Sequence, residues 1–468
     1  MNVPAAARNH AGLIRAKENL FAMTAMTFRG GTHPPERKER TSELPIRYLG
    51  DFKQVVIPVN QHFGSPLQAI VKVGDQVKRG QKIADAEGRM TVPVHASISG
   101  VVKRIEPRTQ SSNVDGPCIV IEADGSGGES FLPPLDAFAC GKEEALARIR
   151  EAGIVGMGGA GFPAHVKLAP SKPIALVIAN GAECEPYLTI DERTMFERAG
   201  DVVEGVAITM KVVGATRGLI GVEENKAHVL PVLQEALAGR SRGMDIRVQI
   251  LKTKYPQGGE KMLITALTGK EVPSGGLPMD VGCVVQNIGT LVALTEAFRD
   301  GKPCIDRGLT IGGGACEAPG NFVVPVGALV SDIVASGAVK VDEAGLGRVV
   351  FGGPMMGVAV PSAAIPVQKN SSGVLFMSRK EAAFYAEASC IRCGRCMRAC
   401  SCRLSPALLA ASLKGGDLVE AEAIGLLDCI ECGTCSFVCP AHIQLVQRFR
   451  VGKQLLRARK QKEAQNAR

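Results

Sequence analysis

Nine cysteines lie between residues 390 and 439, and eight of them repeat one spacing twice. The first run is Cys390-x2-Cys393-x2-Cys396-x3-Cys400, and after 28 further residues, which are expected to be helical, the second is Cys429-x2-Cys432-x2-Cys435-x3-Cys439-Pro440. Three thiolates two residues apart can wrap one face of a [4Fe-4S] cube, and the fourth, three residues later, reaches a second cube. The spacing therefore predicts two [4Fe-4S] clusters with crossed ligation. The predicted ligand sets are Cys390, Cys393, Cys396 and Cys439 for one cluster, and Cys400, Cys429, Cys432 and Cys435 for the other.

Two other uses of these cysteines fit less well. Zinc sites take four ligands, usually as two spaced pairs, which is not the rhythm of these quartets. A disulfide framework would need an oxidising compartment and a secretory signal, and the sequence indicates neither. One detail stays open. Pro440 follows the second run, but Ser401 follows the first with Cys402 directly after it, so Cys402 is an alternative to Cys400 as a ligand.

The composition is that of a folded chain with several domains. Its 468 residues allow three or four domains, 46% of them are hydrophobic, and no apolar run is long enough for a transmembrane helix. Fifteen cysteines without a secretory signal indicate a reducing cytoplasm with cysteine used for metal. The six outside the cysteine-rich segment are expected to be small buried side chains: Cys118, Cys140, Cys184, Cys283, Cys304 and Cys316. With 54 glycines and no tryptophan, tight loops and cofactor contacts are favoured over nucleic-acid binding.

The N-terminal third begins with segments that lack regular structure. Residues 1–26 are expected to form an unstructured tail, and residues 28–36 are too rich in glycine and proline for a helix or strand, which predicts an extended arm. Residues 53–105 then alternate short strand patterns with turns. Their turns resemble the biotinyl/lipoyl barrel-sandwich fold, in which a hairpin tip carries a modified lysine. Here the tip reads Gly88-Arg89-Met90, and arginine cannot carry biotin or lipoate, so we expect a structural module.

A glycine-rich loop follows a predicted helix at residues 142–152. It reads Gly156-Met157-Gly158-Gly159-Ala160-Gly161-Phe162-Pro163 and contains G-x-G-x-x-G. A Rossmann loop follows a strand rather than a helix, so the match is weak as a dinucleotide fingerprint. Backbone without side chains can nevertheless approach a flat ring closely and direct its amides at a phosphate. The alternative is a purely structural turn.

The segments after this loop alternate strand and helix patterns up to residue 251, which indicates an α/β domain. An apolar run at residues 174–179 predicts a buried strand that ends before Asn180, Glu183 and Glu185. Polar residues just past the carboxyl end of such a strand are where open α/β sheets bind ligands. Further on, residues 305–360 predict short strands with glycine turns, and residues 378–386 predict a helix leading to the cysteines.

Together these segments resemble a known family. The loops at residues 156–163, 180–186, 259–260 and 287–290 are similar to the FMN- and NADH-binding loops of the flavoprotein subunit of respiratory complex I. Residues 28–36, 254–261 and 273–278, together with the doubled cysteine motif, extend the resemblance over nearly the whole chain. That wider resemblance is to the C subunit of the Rnf complex, a membrane-bound NAD:ferredoxin oxidoreductase.

The resemblance implies a site for non-covalent FMN and for NAD(H). The glycine loop would hold FMN through Gly156, Gly158, Gly159 and Gly161, with Lys167 near the phosphate. Asn180, Glu183, Glu185, Asn287 and Thr290 would surround the flavin, and Phe162 and Glu260 would lie on the nicotinamide side. Glu183, Glu185 and Glu260 are the implied catalytic residues. Ala182 stands where the complex I pattern has aspartate, so one flavin contact is missing.

The implied architecture is multidomain, α/β and α+β. The expected units are an unstructured tail (1–26), an arm and barrel-sandwich hybrid domain (27–135), a complex I flavoprotein-like FMN/NADH α/β domain (136–300), a soluble-ligand-binding β-grasp domain (301–368), a two-cluster ferredoxin-like helical domain (369–450) and a basic tail (451–468).

The implied function is that of a peripheral subunit on the cytoplasmic face of the bacterial inner membrane. Its complex would couple electron transfer between NAD(H) and ferredoxin to ion translocation, with other Rnf subunits as partners. A flavin can stand between a hydride donor and one-electron clusters. Two alternatives stay open at this point, a cobalamin reductase of microcompartments and an electron-wiring subunit without flavin.

The C-terminal end is strongly basic. Residues 444–468 hold eight basic residues and one acidic residue, which is +7 of the formal +9 charge of the chain. Leu445, Val446, Phe449, Leu455 and Leu456 are expected to give this helix an apolar side. The sequence therefore predicts a helix that docks on an anionic membrane surface or an acidic partner, and a frayed tail is the alternative.

Overall fold

The computed structural model describes residues 25–88 and 90–466. Residues 1–24 of the predicted tail and Arg89 of the predicted hairpin tip lie outside the described residues. Met26, which was predicted to end the unstructured tail, forms a parallel β-bridge to Leu251. Within these described ranges, no helix is both long and apolar enough to cross a membrane.

Residues 54–123 form two small antiparallel sheets. The four-stranded sheet has the order Gln54–Pro58, Asp115–Ala123, Gly100–Thr109, Gln76–Val77, and the three-stranded sheet has the order Gln68–Ala69, Lys82–Asp85, Val94–His95. Side chains from both sheets, such as Ile57, Ile83 and Ile121, are fully buried in one core. β-branched residues suit such half-buried strands, which is why the alternating pattern indicates them correctly.

An α/β domain follows, with four parallel strands. Their order is Asp245–Leu251, Arg217–Glu223, Leu176–Gly181, Cys283–Asn287. Adjacent residues of the central strand lie in different cores, Val177 on one face and Ile178 on the other. Strands buried on both faces read as continuous apolar runs, which explains the pattern at residues 174–179. The carboxyl ends of all four strands share one edge, where Asn180 and Asn287 are direct neighbours.

Helices cover both faces of this sheet. They are Lys142–Glu151, Ala164–Lys167, Ile190–Glu197, Ala199–Val213, Leu230–Arg240, Glu260–Thr268 and Ile288–Arg299, with 3-10 turns at Glu224–Val229 and Pro278–Val281.

A six-stranded mixed sheet comes next. Its order is Ile46–Tyr48, Gly320–Pro325, Asp306–Gly312, Gly373–Ser378, Leu346–Phe351, Val358–Val360, and the helix Val330–Ala335 accompanies it. The domain predicted over residues 301–368 is therefore too short. Ile46–Tyr48 pairs with Gly320–Pro325 from outside that range, and Gly373–Ser378 pairs inside the sheet rather than with the cysteine-rich domain. Its assignment as a β-grasp domain stays a prediction.

The helix predicted over residues 378–386 is wrong. Residues 379–382 form turns, and residues 383–390 have no regular structure. The apolar residues just before this segment belong to the strand Gly373–Ser378, where Phe376 and Leu375 enter different cores. Phe384 and Tyr385 are exposed, so they provide no buried face for a helix to pack.

The cysteine-rich domain is helical. Its helices are Arg395–Ala399, Pro406–Lys414, Leu418–Ala423, Thr434–Phe437 and Leu445–Asn466, with a 3-10 turn at Leu426–Asp428. The segment between the two cysteine runs is therefore helical, as predicted. Leu409, Leu426 and Phe449 are buried together in its core.

The C-terminal helix Leu445–Asn466 continues through the predicted domain boundary at residue 450. Four of the five apolar residues that were predicted to form a docking face, Leu445, Val446, Phe449 and Leu456, are buried in the cysteine-rich domain instead. They are needed there because the short helices of this domain have little other core. Most of its basic residues are also paired within the chain: Arg448 with Glu387, Arg450 and Lys453 with Glu431, and Arg459 and Lys460 with Glu422.

The predicted arm at residues 28–36 is extended and lies between the α/β domain and the cysteine-rich domain. The Gly31 amide donates to the Ala399 carbonyl at 2.9 Å, and Thr32 forms an antiparallel bridge with Tyr255. Gly30 has a positive φ of 87°, and a β-carbon there would lie 2.7 Å from the Cys400 carbonyl oxygen. Only glycine fits this contact, so the arm fastens the cysteine loops to the α/β domain.

Candidate functional site

The glycine loop at residues 156–161 lies between the helices Lys142–Glu151 and Ala164–Lys167. Its middle, Gly158 to Ala160, is exposed. A β-carbon at Gly159 would meet no atom within 4 Å, whereas one at Gly158 would lie 3.1 Å from the β-carbon of Asn287. The loop thus presents bare backbone to open space on one side and packs on the sheet edge on the other. A helix does precede it, so it is no Rossmann loop.

Asn287 and Thr290 support this loop from the start of the helix Ile288–Arg299. The Asn287 side chain caps that helix by accepting from the Gly289 amide at 2.9 Å, and its Nδ2 donates to Asp191 at 2.6 Å. The Thr290 Oγ1 accepts from the Met157 amide at 2.9 Å. Thr290 is therefore hydrogen-bonded to the glycine loop, and Asn287 packs beside Gly158 of the same loop.

Asn180, Lys167 and Glu260 converge on the loop at residues 254–260. The Asn180 Nδ2 donates to the Gly258 carbonyl at 2.8 Å, and the Gly258 amide lies 3.2 Å from the Cys184 Sγ. Lys167 and Glu260 form an ion pair at 2.5 Å. The structure thus pairs Lys167, predicted to lie near the FMN phosphate, with Glu260, predicted to lie on the nicotinamide side.

Glu183 and Glu185 both use their carboxylates within the protein. Glu183 accepts from the amides of Asp191 at 2.8 Å and Glu192 at 3.1 Å, which caps the helix Ile190–Glu197. Glu185 accepts from the Met355 and Met356 amides at 3.0 Å each. Helix amides and loop amides stabilise a buried negative charge. These contacts therefore fix the loop at residues 182–186, called the acidic loop below, in place.

Buried charge surrounds this acidic loop. Burial raises the pKa of Glu185 to about 7, and burial followed by the charge of Glu183 raises the pKa values of Asp191 and Glu192 to about 7. Lys38 is buried among them, and its Nζ donates to the backbone carbonyls of Glu183 at 2.9 Å and Glu185 at 3.0 Å. Burial lowers the pKa of Lys38.

A cavity with about 360 Å³ of empty space, part of it open to solvent, lies in the cysteine-rich domain. Four cysteines of one predicted ligand set line it, and Cys402 does so as well: Cys400, Cys402, Cys429, Cys432 and Cys435. Cys400 thus comes from the first run and joins three cysteines of the second. In the other set, the Cys396 thiol has a pKa raised first by burial, and the nearby thiols of Cys439 and Cys393 add to it.

Across the described ranges, no group of three or more His, Cys, Asp or Glu side chains is placed to hold a single metal ion. The four thiols of an iron–sulfur cube bind four different irons, so they lie farther apart than the ligands of one ion. A cavity lined by five cysteines is consistent with a cluster rather than a single ion.

Tyr255 joins the glycine-loop side of the α/β domain to the cysteine-rich domain. It lies in the segment 254–261 that carries part of the resemblance, but no role was predicted for it. Its hydroxyl donates to the Cys432 carbonyl at 2.7 Å and lies 3.5 Å from a carboxylate oxygen of Glu185. Next to it, a β-carbon at Gly433 would lie 2.8 Å from the Met355 carbonyl oxygen. The loop of Cys432 therefore packs on the same segments that surround the acidic loop.

Three further residues were not predicted as part of the site. Arg307, from the six-stranded sheet, is buried and donates to the Met157 carbonyl at 3.2 Å, below the glycine loop. Lys38 and Asp191 complete the set. Arg307, Lys38 and Asp191 come from distant parts of the chain. The only sequence signal was for Asp191, which follows the acidic residues after the strand Leu176–Gly181.

Known families match both N-terminal units. The family described as RnfC Barrel sandwich hybrid domain matches residues 26–126, and the family described as Nuo51 FMN-binding domain matches residues 149–296. These matches confirm the predicted barrel-sandwich hybrid and the complex I flavoprotein-like FMN domain.

Full-length relatives are similar over nearly the whole chain. The chain is 43% identical to the C subunit of the proton-translocating ferredoxin:NAD(+) oxidoreductase complex of Clostridium ljungdahlii, over 93% of this chain and 95% of that protein. It is 41% identical to the C subunit of the Na(+)-translocating ferredoxin:NAD(+) oxidoreductase complex of Acetobacterium woodii, over 93% and 98%. The C subunit of the ion-translocating oxidoreductase complex of Pseudomonas aeruginosa is 40% identical over 93% of this chain and 56% of its own length.

Identity at this level over such coverage decides between the resemblances that the sequence left open. The cysteine cavity, the glycine loop and the barrel-sandwich domain all lie within the matched length. The chain therefore belongs to the family of C subunits of the ion-translocating ferredoxin:NAD(+) oxidoreductase (Rnf) complexes.

Proposed function

We propose that this chain exchanges hydride with NAD(H) at FMN and passes single electrons through two [4Fe-4S] clusters. It would do so as a peripheral subunit of a membrane complex that couples electron transfer between NAD(H) and ferredoxin to ion translocation. The observation that carries the proposal is the contact between the flavin-side loops and the cysteine cavity through Tyr255. Names of the relatives support the reaction and the assembly.

The glycine loop fits a non-covalent FMN. Its exposed backbone leaves room for a flat ring or a phosphate, which a side chain at Gly159 would take up. The residues proposed to hold FMN are Gly156, Gly158, Gly159, Gly161, Lys167, Asn180, Asn287 and Thr290. Bound FMN would supply the conversion between a hydride and single electrons.

Lys167 and Glu260 would act together rather than separately. Their ion pair places one positive and one negative group at the same edge of the loop. Lys167 would hold the phosphate of FMN, and Glu260 would orient Lys167 and face the nicotinamide side with Phe162. Glu183 and Glu185 would set the negative charge behind the flavin, because both carboxylates are fixed by backbone amides.

The cysteine sets fit two cubes with crossed ligation in a ferredoxin-like domain. The cavity supports Cys400, Cys429, Cys432 and Cys435 as one set. Cys390, Cys393, Cys396 and Cys439 are proposed as the other. Cys402 also lines the cavity, so the choice between Cys400 and Cys402 needs its own test.

The two sets differ in their surroundings. The loop of Cys432 lies against Tyr255 and Met355, on the flavin side, whereas Cys390 and Cys393 are exposed beside the exposed side chain of Ile391. We therefore assign the set with Cys432 to the flavin side and the set with Cys390 to the side of the next electron carrier.

The partners follow from this arrangement. They are the other subunits of the Rnf-type complex, through which ferredoxin would be reached, at the cytoplasmic face of the bacterial inner membrane. The exposed basic side chains Arg457 and Lys462 of the C-terminal helix would contact an anionic membrane surface.

The test is the purified, anaerobically reconstituted chain. We expect about one FMN and about eight irons per chain, and bleaching of both flavin and cluster absorbance by NADH. A chain with clusters but without flavin would be a wiring subunit. A chain with both groups that NADH leaves oxidised would not be the NAD(H)-reactive subunit.

A further inference from the structure

A loop of the barrel-sandwich domain lies directly on the glycine loop. The Phe63 amide donates to the Gly161 carbonyl at 2.9 Å, and a β-carbon at Gly161 would lie 3.1 Å from the Gln61 carbonyl oxygen. The Gln61 side-chain Oε1 also accepts from the Lys369 amide at 3.0 Å. The loop at residues 61–65 is thus fixed by backbone contacts at one end of the candidate flavin site.

This loop presents an exposed aromatic ring. Phe63 is 59% exposed, and its ring lies nearly parallel to that of Phe162, with centroids 6.1 Å apart and an interplanar angle of 22°. Single exposed apolar side chains are common and need no function. Phe63 differs because its backbone is bonded to the glycine loop and its ring is stacked on a residue of that loop.

The hairpin tip of the barrel-sandwich domain supports the loop from behind. The Met90 carbonyl accepts from the Ser65 amide at 3.1 Å and lies 3.2 Å from the His62 Nε2. A β-carbon at Gly64 would lie only 2.0 Å from the Met90 carbonyl oxygen, and its φ is 148°. The end of the domain that carries a modified lysine in biotinyl and lipoyl proteins therefore serves here to hold the loop of Phe63.

We propose that Phe63 is a substrate-positioning residue on which the adenine of NAD(H) stacks. This inference rests on the proposed NAD(H) activity and deepens it, since it gives the barrel-sandwich domain a part in binding the dinucleotide. Phe63 offers a largely exposed aromatic ring at the rim of the glycine loop, next to Phe162, which lies on the proposed nicotinamide side. Aromatic rings bind bases in this way through stacking, which every base can provide.

The exposure of Phe63 favours the adenine over the nicotinamide. Hydride transfer needs the nicotinamide against the flavin in a site from which water is excluded. A ring that is more than half exposed does not meet that need. The adenine, at the far end of an extended dinucleotide, can remain partly in water while stacking on one face of Phe63.

The test compares binding of two halves of the dinucleotide to the flavin- and cluster-loaded protein. ADP-ribose carries the adenine, and nicotinamide mononucleotide does not. The affinity of each is measured by titration calorimetry for the wild type and for Phe63→Ala, Phe63→Leu and Phe63→Tyr. Tyr48→Ala, which removes an exposed ring from the six-stranded sheet, is the matched control. Flavin content is measured for each variant.

We expect Phe63→Ala and Phe63→Leu to weaken ADP-ribose binding roughly tenfold, which is within the range for a base on an aromatic ring. Phe63→Tyr and Tyr48→Ala should bind it as the wild type does, and all variants should keep their flavin and their affinity for nicotinamide mononucleotide. The KM for NADH should rise by a similar factor with little change in kcat.

Three results would overturn the inference. Unchanged ADP-ribose binding in Phe63→Leu would remove Phe63 from the site. Equal losses for both probes would show that the loop merely supports the glycine loop. A wild type that NADH reduces but that does not bind ADP-ribose would overturn this inference alone, whereas a wild type that NADH leaves oxidised would overturn the proposed NAD(H) activity, so the two failures are distinguishable. If Phe63→Ala does not fold, the comparison of Phe63→Leu with Phe63→Tyr decides.

Discussion

The Tyr255 hydroxyl donates a hydrogen bond to the Cys432 carbonyl oxygen, 2.7 Å away. Tyr255 is only 1% exposed, so water cannot replace this bond easily. Its hydroxyl is also 3.5 Å from Glu185, whose carboxylate accepts from Met355 and Met356. One side chain thus connects a loop of the α/β domain, the acidic loop and a predicted cluster ligand.

Tyr255→Phe should separate this link from cofactor binding. The ring stays in place, so flavin and iron contents should be unchanged. Losing one hydrogen bond costs about 1 kcal/mol and loosens the Cys432 loop, so we expect NADH to reduce the clusters about fivefold more slowly. Stopped-flow absorbance measures this rate. Tyr187→Phe, which removes a hydroxyl bonded to Glu381, is the control and should reduce normally. An unaltered rate in Tyr255→Phe would show that the bond has no part in electron delivery.

Gly159→Val should remove FMN without disturbing the fold. A β-carbon at Gly159 meets nothing within 4 Å, and its φ is not in the left-handed region, so the side chain is tolerated by the protein itself. It would occupy the space that a ligand needs beside the loop. We expect flavin to be lost while iron content and the thermal midpoint stay near wild type. Gly214→Ala, at an exposed glycine with a positive φ of 72°, should instead lower stability and keep the flavin. Full flavin occupancy in Gly159→Val would place the flavin elsewhere.

Cys439→Ala should damage the cluster of Cys390, Cys393 and Cys396, although it lies at the end of the other run. The crossing predicts that about half of the iron becomes labile, and that the remaining cluster is the one beside Tyr255. Iron analysis and electron paramagnetic resonance of the reduced protein measure this. Cys435→Ala should affect the opposite cluster. If Cys439→Ala and Cys435→Ala damage the same cluster, the ligation is not crossed.

The sequence predicted elements whose patterns are local. The apolar run of the strand Leu176–Gly181, the helical segment between the cysteine runs and the barrel-sandwich strands all depend on short-range periodicity. The helix prediction failed at residues 378–386. The apolar residues just before this segment belong to the strand Gly373–Ser378, whose pairing partners are far away in the sequence. Lys38, Arg307 and Tyr255 could not be predicted for the same reason. Lys38 and Arg307 reach the site from other parts of the chain, and Tyr255 reaches the Cys432 loop from the α/β domain, all through contacts 145 or more residues apart in the sequence.

Glu192→Gln should change how stability depends on pH. Glu192 is 2% exposed, and burial together with the charge of Glu183 raises its pKa from 4.5 to about 7. A raised pKa in the folded state contributes stability that is fully present below pH 4.5 and is lost as the pH rises through about 7. Glutamine stays neutral, so it does not undergo this loss. The charged groups around it are Glu183, Lys38, Lys226 and Arg193, and the His228 Nε2 lies 3.3 Å from its carboxylate.

We therefore expect the thermal midpoint of Glu192→Gln to rise relative to wild type between about pH 5 and about pH 8. The full effect corresponds to at most about 3 kcal/mol. Glu235→Gln, on the helix Leu230–Arg240, is the matched control for replacing a glutamate by glutamine. A difference between Glu192→Gln and wild type that does not vary with pH would contradict the raised pKa.

The C-terminal helix should hold a cluster site as well as any docking surface, and the two roles are separable. Lys453 is buried, and its Nζ donates to Glu431 at 2.9 Å and also to the Cys429 carbonyl. Leu456, one turn further, is fully buried. A truncation after Gly452 would remove both and would unfold the cysteine-rich domain rather than test docking.

Point variants on this helix avoid that problem. Lys453→Met removes the ammonium that donates to the Cys429 carbonyl and to Glu431, so it should release about half of the iron, from the set that includes Cys429. Arg457→Gln with Lys462→Gln changes only exposed bases and should keep all of the iron. If the basic end docks on anionic membranes, that double variant should be washed from them at lower salt than wild type, because each base near the surface contributes about 1 kcal/mol. Equal retention across the salt series would leave the helix with its structural role alone.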